Sequence, residues 1–245
     1  MPLPLSTTFP HALATSERPL AGMWVCSGSP LVAEICAGSG LDWLLIDAEH
    51  SPNGLESILA QLQAVHGYPV QVLVRPPVND PVLIKQYLDL GVQNLLIPMV
   101  HSAADARAAR WNRVPDYLAT ASGTVSVTVQ IESAAAVEAV EDILAVDGVD
   151  AVFMGPSDLA ASMGLLGQQE HPDVRAAVGQ CLAAARRAGK PAGVNAFTPD
   201  TARSYLDGGA RFVLVGADVA LLARGSEALA ATFVPATDGG APGSY

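Results

Sequence analysis

Eight short apolar segments, separated by longer stretches of mixed polarity, are the feature that most constrains this sequence. Each segment is rich in valine, isoleucine and leucine on consecutive positions, which is typical of a strand buried on both faces of a parallel sheet. The intervening stretches carry the helical period, so the sequence predicts a regular alternation of strands and helices. The apolar segments read LAGMWVC, DWLLIDAEH, VQVLVRP, NLLIPMV, VSVTVQIE, AVFMGPSD, PAGVNAF and FVLVGAD.

The predicted helices carry the start and stop residues that helices favour. Ser29 precedes Pro30, and Asp80 precedes Pro81, so each pair predicts an N-cap followed by proline at the first helical position. Glycine follows most of the predicted helices, as expected of helix ends. Eight strand–helix units in 245 residues favour a closed (β/α)₈ TIM barrel over an open sheet, and no G-x-G-x-x-G follows the first strand.

We expect one barrel domain over residues 19–234. The segments 1–18 and 235–245 are rich in proline, glycine, serine and threonine, and they are predicted to be loose. Half of the residues are hydrophobic and only 15% are charged, so the chain can bury a full core.

The net charge of −11 disfavours nucleic acid and anionic membrane surfaces as partners, because both require clusters of lysine and arginine. A small molecule is the expected partner. No apolar run approaches the roughly 20 residues needed to span a bilayer. Three scattered cysteines without C-x-x-C spacing disfavour disulfides and zinc, so a reducing cytoplasmic location is expected; they are Cys26, Cys36 and Cys181.

Polar residues follow several of the predicted strands. In a barrel of this kind, the carboxyl ends of the strands form one mouth that holds the active site, so residues distant in sequence converge there. The polar or turn-forming residues at these positions are Asp47, Glu49 and His50 after the second strand, Arg75 after the third, Gln130 and Glu132 after the fifth, and Gly155, Pro156, Ser157 and Asp158 after the sixth.

Glu132 and Asp158 offer carboxylate oxygens from adjacent strands, which suits Mg²⁺, Mn²⁺ or a similar divalent cation such as Co²⁺ better than structural zinc. Two protein ligands leave coordination positions open for a 2-oxo acid, whose enolate charge the cation would stabilise. The alternative is that either acid merely occupies a helix N-terminus, where the macrodipole stabilises negative charge.

Three further strand-exit residues are candidates for catalysis. His50 can handle a proton near neutral pH, and Asp47 is close enough in sequence to orient its imidazole. Arg75 presents a permanently charged group that suits a carboxylate or a developing enolate. The alternatives are a surface-loop histidine and an arginine that only pairs with a neighbouring acid. The turn at Gly155–Ser157 could also present backbone N–H groups to a substrate carboxylate, or be an ordinary strand-to-helix turn.

At these strand exits the sequence resembles the HpcH/HpaI aldolases, a family of metal-dependent class II pyruvate aldolases. The resemblance covers nearly all of residues 19–232. It rests on the motifs DWLLIDAEHSPN, VRPPVNDPVLIKQYLDLG, NLLIPMV, RWNRVPDYL, VQIES, VDGVDAVFMGPSDLAASMG and GVNAF. It implies reversible cleavage of a 4-hydroxy-2-oxo acid to pyruvate and an aldehyde.

The resemblance also implies a role for each matching residue. Glu132 and Asp158 match the metal ligands of the family, and Arg75 matches the arginine that stabilises the pyruvate enolate. His50 and Asp47 match the pair that manages the proton of the aldol hydroxyl.

Further positions are implied around the site and between subunits. Gln130 and the Gly155–Ser157 turn match positions around the metal and the pyruvate carboxylate. Asp89 matches an acid that approaches the active site of the neighbouring subunit. The resemblance also implies a homohexamer built as a trimer of dimers.

The sequence departs from the family in its fourth strand–helix unit. After MVHSAADARAA the family usually continues through a longer segment with Tyr-Pro-Pro and Gly-x-Arg-Gly patterns, whereas this chain passes almost directly to RWNRVPDYL. Two alternatives to the aldolase stay open. One is a lyase acting on an acyl-CoA, as in the citrate lyase β group, and the other is a non-catalytic barrel that serves as a binding module.

Overall fold

A computed structural model describes residues 7–108 and 125–234. Eight parallel strands close into a barrel in which each strand pairs with the next and β8 pairs with β1, as the sequence predicts. The strands are β1 Leu20–Val25, β2 Trp43–Asp47, β3 Gln71–Arg75, β4 Asn94–Ile97, β5 Ser126–Ile131, β6 Ala151–Met154, β7 Ala192–Asn195 and β8 Phe212–Ala217.

Helices surround the barrel and follow the predicted cap chemistry. Ser29 and Asp80 each cap a helix with their side chains and are each followed by proline. The described helices are α1 Phe9–Thr15, α2 Pro30–Ala37, α3 Leu55–Val65, α4 Pro81–Asp89, α5 Ala103–Ala108, α6 Ala134–Glu138, α7 Val140–Leu144, α8 Pro156–Ser162, α9 Pro172–Ala188, α10 Pro199–Asp207 and α11 Asp218–Phe233. Within 7–108 and 125–234, no helix is long and apolar enough to cross a membrane.

The inside of the barrel is packed with large aromatic side chains near the amino ends of the strands. Trp43 and Phe212 meet edge to face with their ring centroids 5.7 Å apart. A Cβ on Gly22 would collide with the Trp43 ring, and one on Gly193 would collide with the Phe212 ring. Glycine on these strands therefore makes the space that the two rings fill.

Helix α1 closes this end of the barrel, which corrects the prediction of a loose segment over residues 1–18. Phe9 is fully buried and packs 5.3 Å from Trp43 and 5.1 Å from Phe212, measured between ring centroids. Its backbone N–H donates to Asn94 Oδ1 at 2.8 Å. The proline, serine and threonine content of the segment gave no sign of this packing, in which Phe9 and Leu13 are both buried. Residues 1–6 and 235–245 lie outside the described part, so looseness there stays a prediction.

Candidate active site at the barrel mouth

The guanidinium of Arg75 occupies the mouth and is almost completely buried. Asp47 and Arg75 are register partners on β2 and β3, so they lie side by side. Arg75 Nε donates to Asp47 Oδ1 at 2.8 Å, and Nη1 lies 2.7 Å from Glu49 Oε2. The ring of Trp24 covers the guanidinium, with its centroid 4.2 Å from Cζ. Two carboxylates and an aromatic face therefore compensate for the burial of one cation.

Asp47 organises the loop after β2 through its backbone. Its Oδ1 accepts the N–H of Glu49 at 3.0 Å, and its Oδ2 accepts the N–H of His50 at 3.2 Å. The imidazole of His50 is exposed, and its Nε2 lies 3.7 Å from Glu49 Oε2. The structure therefore differs from the expected pair in which Asp47 orients the imidazole, because the carboxylate of Asp47 is occupied by Arg75 and by backbone groups.

Both carboxylate oxygens of Glu132 are held by donors. Oε1 accepts the backbone N–H of Met99 at 2.8 Å, and Oε2 accepts Gln130 Nε2 at 2.5 Å. Gln130 in turn accepts a 3.4 Å hydrogen bond from Arg75 Nη1 through Oε1. One chain of hydrogen bonds thus connects the carboxylate of Glu132 with the Arg75 cluster.

Burial perturbs the two glutamates of the mouth. It raises the pKa of Glu132 above its ordinary value; the N–H of Met99 opposes this effect, and the negative charge of Asp158 reinforces it. Burial likewise raises the pKa of Glu49, against the opposing charge of Arg75. Raised carboxyl pKa values in one cleft are typical of functional sites.

The turn between β6 and α8 lies directly over the Glu132 carboxylate. A Cβ on Gly155 would stand 3.2 Å from Gln130 Nε2, so only glycine allows this approach without displacing the amide. Pro156 is buried at the first position of α8, whereas Ser157 and Asp158 are exposed beside the mouth. The structure therefore brings the predicted residues of β5 and of this turn together.

The donor set fits a hard divalent cation. Among the described residues, no group of three or more histidine, cysteine, aspartate or glutamate side chains is arranged to hold a metal ion. Glu132 and Asp158 form a smaller set of two carboxylates, close enough that the charge of Asp158 raises the pKa of Glu132. Two carboxylates suit a divalent cation that prefers oxygen ligands, and they leave coordination positions open for other ligands.

Comparison with known proteins decides the family. A family model described as HpcH/HpaI aldolase/citrate lyase matches residues 20–225. This chain belongs to that family. Within it, a hydroxypyruvate/pyruvate aldolase of Deinococcus radiodurans is 51% identical over 252 residues, covering 94% of this chain and 91% of the relative. A 4-hydroxy-2-oxo-heptane-1,7-dioate aldolase of Shigella sonnei is 45% identical over 263 residues, covering 98% of this chain and all of the relative.

A solved structure supports the same assignment. An HpcH/HpaI aldolase/citrate lyase family protein from Burkholderia cenocepacia J2315 superposes with a TM-score of 0.84 and is 37% identical, covering 93% of this chain and 99% of that chain. The chain is therefore an aldolase-type carbon–carbon lyase, which is the outcome that the sequence favoured over a non-catalytic barrel.

The junction at which the fourth unit is predicted to be short follows α5 and lies outside the described residues, as does the whole motif RWNRVPDYL. The alignment with the Shigella sonnei aldolase extends over 263 positions, more than the 245 residues of this chain. That relative therefore has residues without a counterpart here. Their location is not given by these lengths, so the shortening of the fourth unit stays a prediction.

Asp89 lies away from the mouth of its own subunit. It is the last residue of α4, a helix that runs antiparallel to the strands and so ends beside their amino termini. Its carboxylate pairs with Lys85 Nζ at 2.6 Å on the exposed surface. The role at a neighbouring active site stays a prediction.

Sequence reasoning missed three residues of the mouth and gave a fourth no role. Trp24 covers Arg75 and donates from Nε1 to Asn195 Oδ1 at 3.1 Å. Met99 supplies the backbone donor to Glu132, and Glu49 was noted at a strand exit without an assigned function. Trp24 and Asn195 could have been found as polar-tipped residues near strand ends, whereas a backbone donor leaves no signal in sequence.

Proposed function

We propose that the protein catalyses reversible aldol cleavage of a 4-hydroxy-2-oxo acid to pyruvate and an aldehyde, with the aid of a divalent cation. The observation that carries the proposal is the hydrogen-bonded chain from Glu132 through Gln130 to Arg75. It joins a carboxylate suited to a cation with a buried guanidinium suited to an anionic oxygen. The relatives named as 2-oxo acid aldolases support the substrate class.

Glu132 and Asp158 are the residues that would hold the cation, which would be Mg²⁺, Mn²⁺ or Co²⁺. When bound, such a cation supplies positive charge that stabilises the enolate of a 2-oxo acid. Gln130 fixes the rotation of the Glu132 carboxylate by donating to Oε2. Orienting contacts of this kind commonly change metal affinity by about 10–100-fold when they are removed.

Arg75 and His50 are the groups to which we assign direct action on the substrate. The contacts of Arg75 with Asp47 and Glu49 use Nε and Nη1, so Nη2 is the donor that we assign to an anionic substrate oxygen. His50 stands exposed at the rim, where its imidazole can exchange a proton with the substrate hydroxyl. Asp47 positions both residues through Arg75 Nε and the backbone N–H of His50.

The turn at Gly155–Ser157 is the position that we assign to the substrate carboxylate. Its close approach to Gln130 places it beside the Glu132 carboxylate. Backbone N–H groups at the start of a helix favour anions, and Pro156 has no N–H of its own, so Ser157 and Asp158 are the candidate donors.

The test is pyruvate release from 4-hydroxy-2-oxoheptanedioate and shorter 4-hydroxy-2-oxo acids, coupled to lactate dehydrogenase. The protein is first treated with EDTA and then assayed with added Mn²⁺, Mg²⁺ or Co²⁺. We expect activity that the cation restores. Aldol condensation of pyruvate or hydroxypyruvate with aldehydes forms a second arm, because one relative carries both donors in its name. Activity on malyl-CoA or citryl-CoA in place of these acids would favour the acyl-CoA alternative.

A matched pair of variants separates the site from general effects of charge removal. Glu132→Gln removes a proposed ligand from the mouth. Glu138→Gln makes the same chemical change on the exposed surface of α6. We expect loss of cation-dependent activity in the first variant only. Equal activity of the two variants would contradict the proposed cation site.

We also propose that the protein is a homohexamer, arranged as a trimer of dimers. Helix α11 buries only its first residue, and its apolar residues Leu221, Leu222 and Phe233 are 64%, 68% and 79% exposed. Exposed apolar surface on this scale is unfavourable in water and is typical of an interface. A second copy of the chain is the partner that we assign to this helix.

Light scattering coupled to size-exclusion chromatography tests the assembly. We expect the mass of six chains, and a smaller species when Leu222→Glu places a charge on the exposed face of α11. A monomer in the unsubstituted protein would contradict the proposal. Asp89→Asn tests the contact between subunits, since it would lower activity only if the assembled enzyme uses that acid.

We place the protein in a reducing compartment, the cytoplasm. All three cysteines are free, and two of them are buried. Burial raises the pKa of Cys181 to about 12, which keeps its thiol protonated and unreactive near neutral pH. Free, unreactive cysteines support this location without a structural disulfide.

A further inference from the structure

Met99 adopts a backbone conformation that its side chain does not explain. Among the described residues it is the only non-glycine residue with a positive φ, at +58°. This left-handed conformation is unfavourable for a residue with a Cβ, and such outliers concentrate at functional sites. The side chain is 51% exposed, whereas the neighbouring Pro98 and Val100 are buried. Packing therefore holds the residues on either side of Met99, but the exposed side chain of Met99 does not explain its unfavourable φ.

The conformation points the N–H of Met99 at the mouth. That N–H donates to Oε1 of Glu132 at 2.8 Å, and Glu132 directly follows the neighbouring strand β5. The other oxygen of the same carboxylate accepts from Gln130 at 2.5 Å. Two donors on two different oxygens fix both the position and the plane of a carboxylate. The strained residue thus supplies one of the two contacts that orient Glu132.

We propose that the left-handed backbone of Met99 is a positioning device that preorganises Glu132 for the divalent cation. The role belongs to the backbone, and the methionine side chain is not required for it. This inference rests on the proposed cation site at Glu132. Removing or misdirecting the N–H lets the carboxylate rotate, and the cation then has to restore its orientation on binding.

The test compares three substitutions whose backbone preferences differ. Met99→Val introduces a β-branched residue, which disfavours a positive φ strongly. Met99→Gly permits that φ without strain, and Met99→Leu changes the side chain but keeps an unbranched Cβ. The dissociation constant for Mn²⁺ is measured directly by titration calorimetry, without substrate, together with the thermal unfolding temperature of the cation-free protein.

We expect Met99→Val to bind Mn²⁺ about tenfold more weakly than the unsubstituted protein. Met99→Gly and Met99→Leu should bind Mn²⁺ as the unsubstituted protein does. Met99→Thr, a smaller β-branched substitution, repeats the comparison if Met99→Val does not fold.

Three results distinguish a failure of this inference from a failure of the proposed cation site. Weaker binding in the β-branched variants alone supports the backbone role. Equal binding in all variants, or equal weakening in the glycine and valine variants, overturns it even if the valine variant unfolds at a lower temperature. If the unsubstituted protein itself binds no Mn²⁺, the proposed cation site has failed, and the inference fails with it.

Discussion

Removal of the Arg75 guanidinium should destabilise the protein in a way that depends on pH. The carboxylates of Asp47 and Glu49 are 2% and 11% exposed, and Arg75→Ala removes the guanidinium with which both of them pair. Breaking a buried ion pair on one side costs about 3–5 kcal/mol. For a chain of this length, 1 kcal/mol corresponds to about 2 °C in Tm, so we expect a loss of about 6–10 °C near neutral pH.

The sign of the pH dependence follows from the carboxyl group of Glu49. Burial raises the pKa of Glu49 and the charge of Arg75 opposes this effect, so without Arg75 the pKa in the folded variant lies further above its value in the unfolded chain. A raised pKa contributes stability below the unfolded value, and this contribution is lost as pH rises through the folded value. The loss of Tm in the variant should therefore be smaller near pH 5 than near pH 7. Thermal melts followed by circular dichroism at both pH values measure this loss, with Arg175→Ala as the control at an exposed arginine.

The same variant should separate catalysis from cation binding. Loss of the donor that we assign to the enolate oxygen should lower kcat/KM by about 10²–10³-fold or more. Binding of Mn²⁺ should change little, because Arg75 reaches Glu132 only through Gln130. A Tm within about 2 °C of the unsubstituted protein at both pH values would refute the ion-pair reasoning. Loss of Mn²⁺ binding together with activity would refute the division of roles.

Three further predictions concern the cation site, the barrel interior and the loop after β1. Because burial raises the pKa of Glu132, protons compete with Mn²⁺ there, so calorimetric affinity should increase between about pH 5 and 7 and lose this dependence in Glu132→Gln. Gly22→Ala should lower Tm strongly or prevent folding, since its Cβ would overlap the Trp43 ring; Gly67→Ala, where nothing lies within 4 Å, is the control for the melt. Asp218→Ala should cost about 2–3 kcal/mol in urea unfolding, because its carboxylate accepts the backbone N–H groups of Cys26 and Ser27; an unchanged midpoint would contradict this.

The sequence was sufficient for the barrel because its evidence is local and repeated. Consecutive apolar residues identify strands covered on both faces, and caps such as Ser29 and Asp80 mark the helices between them. The ends of eight parallel strands must then meet at one mouth. For that reason the sequence could also predict that residues as distant as Arg75 and Glu132 lie together.

Only the tertiary structure decided which groups interact within that mouth. Asp47 was expected to serve the imidazole of His50, but the register of β2 with β3 sets it beside Arg75 instead. Phe9 is fully buried, so a segment that the sequence predicted to be loose closes the barrel at the amino ends of the strands. The hydrogen bond from the Met99 N–H to the Glu132 carboxylate depends on the positive φ of Met99. Composition and periodicity report which face of an element is buried, whereas contacts of a few ångströms depend on register, rotamer and φ, which are fixed only when the elements pack.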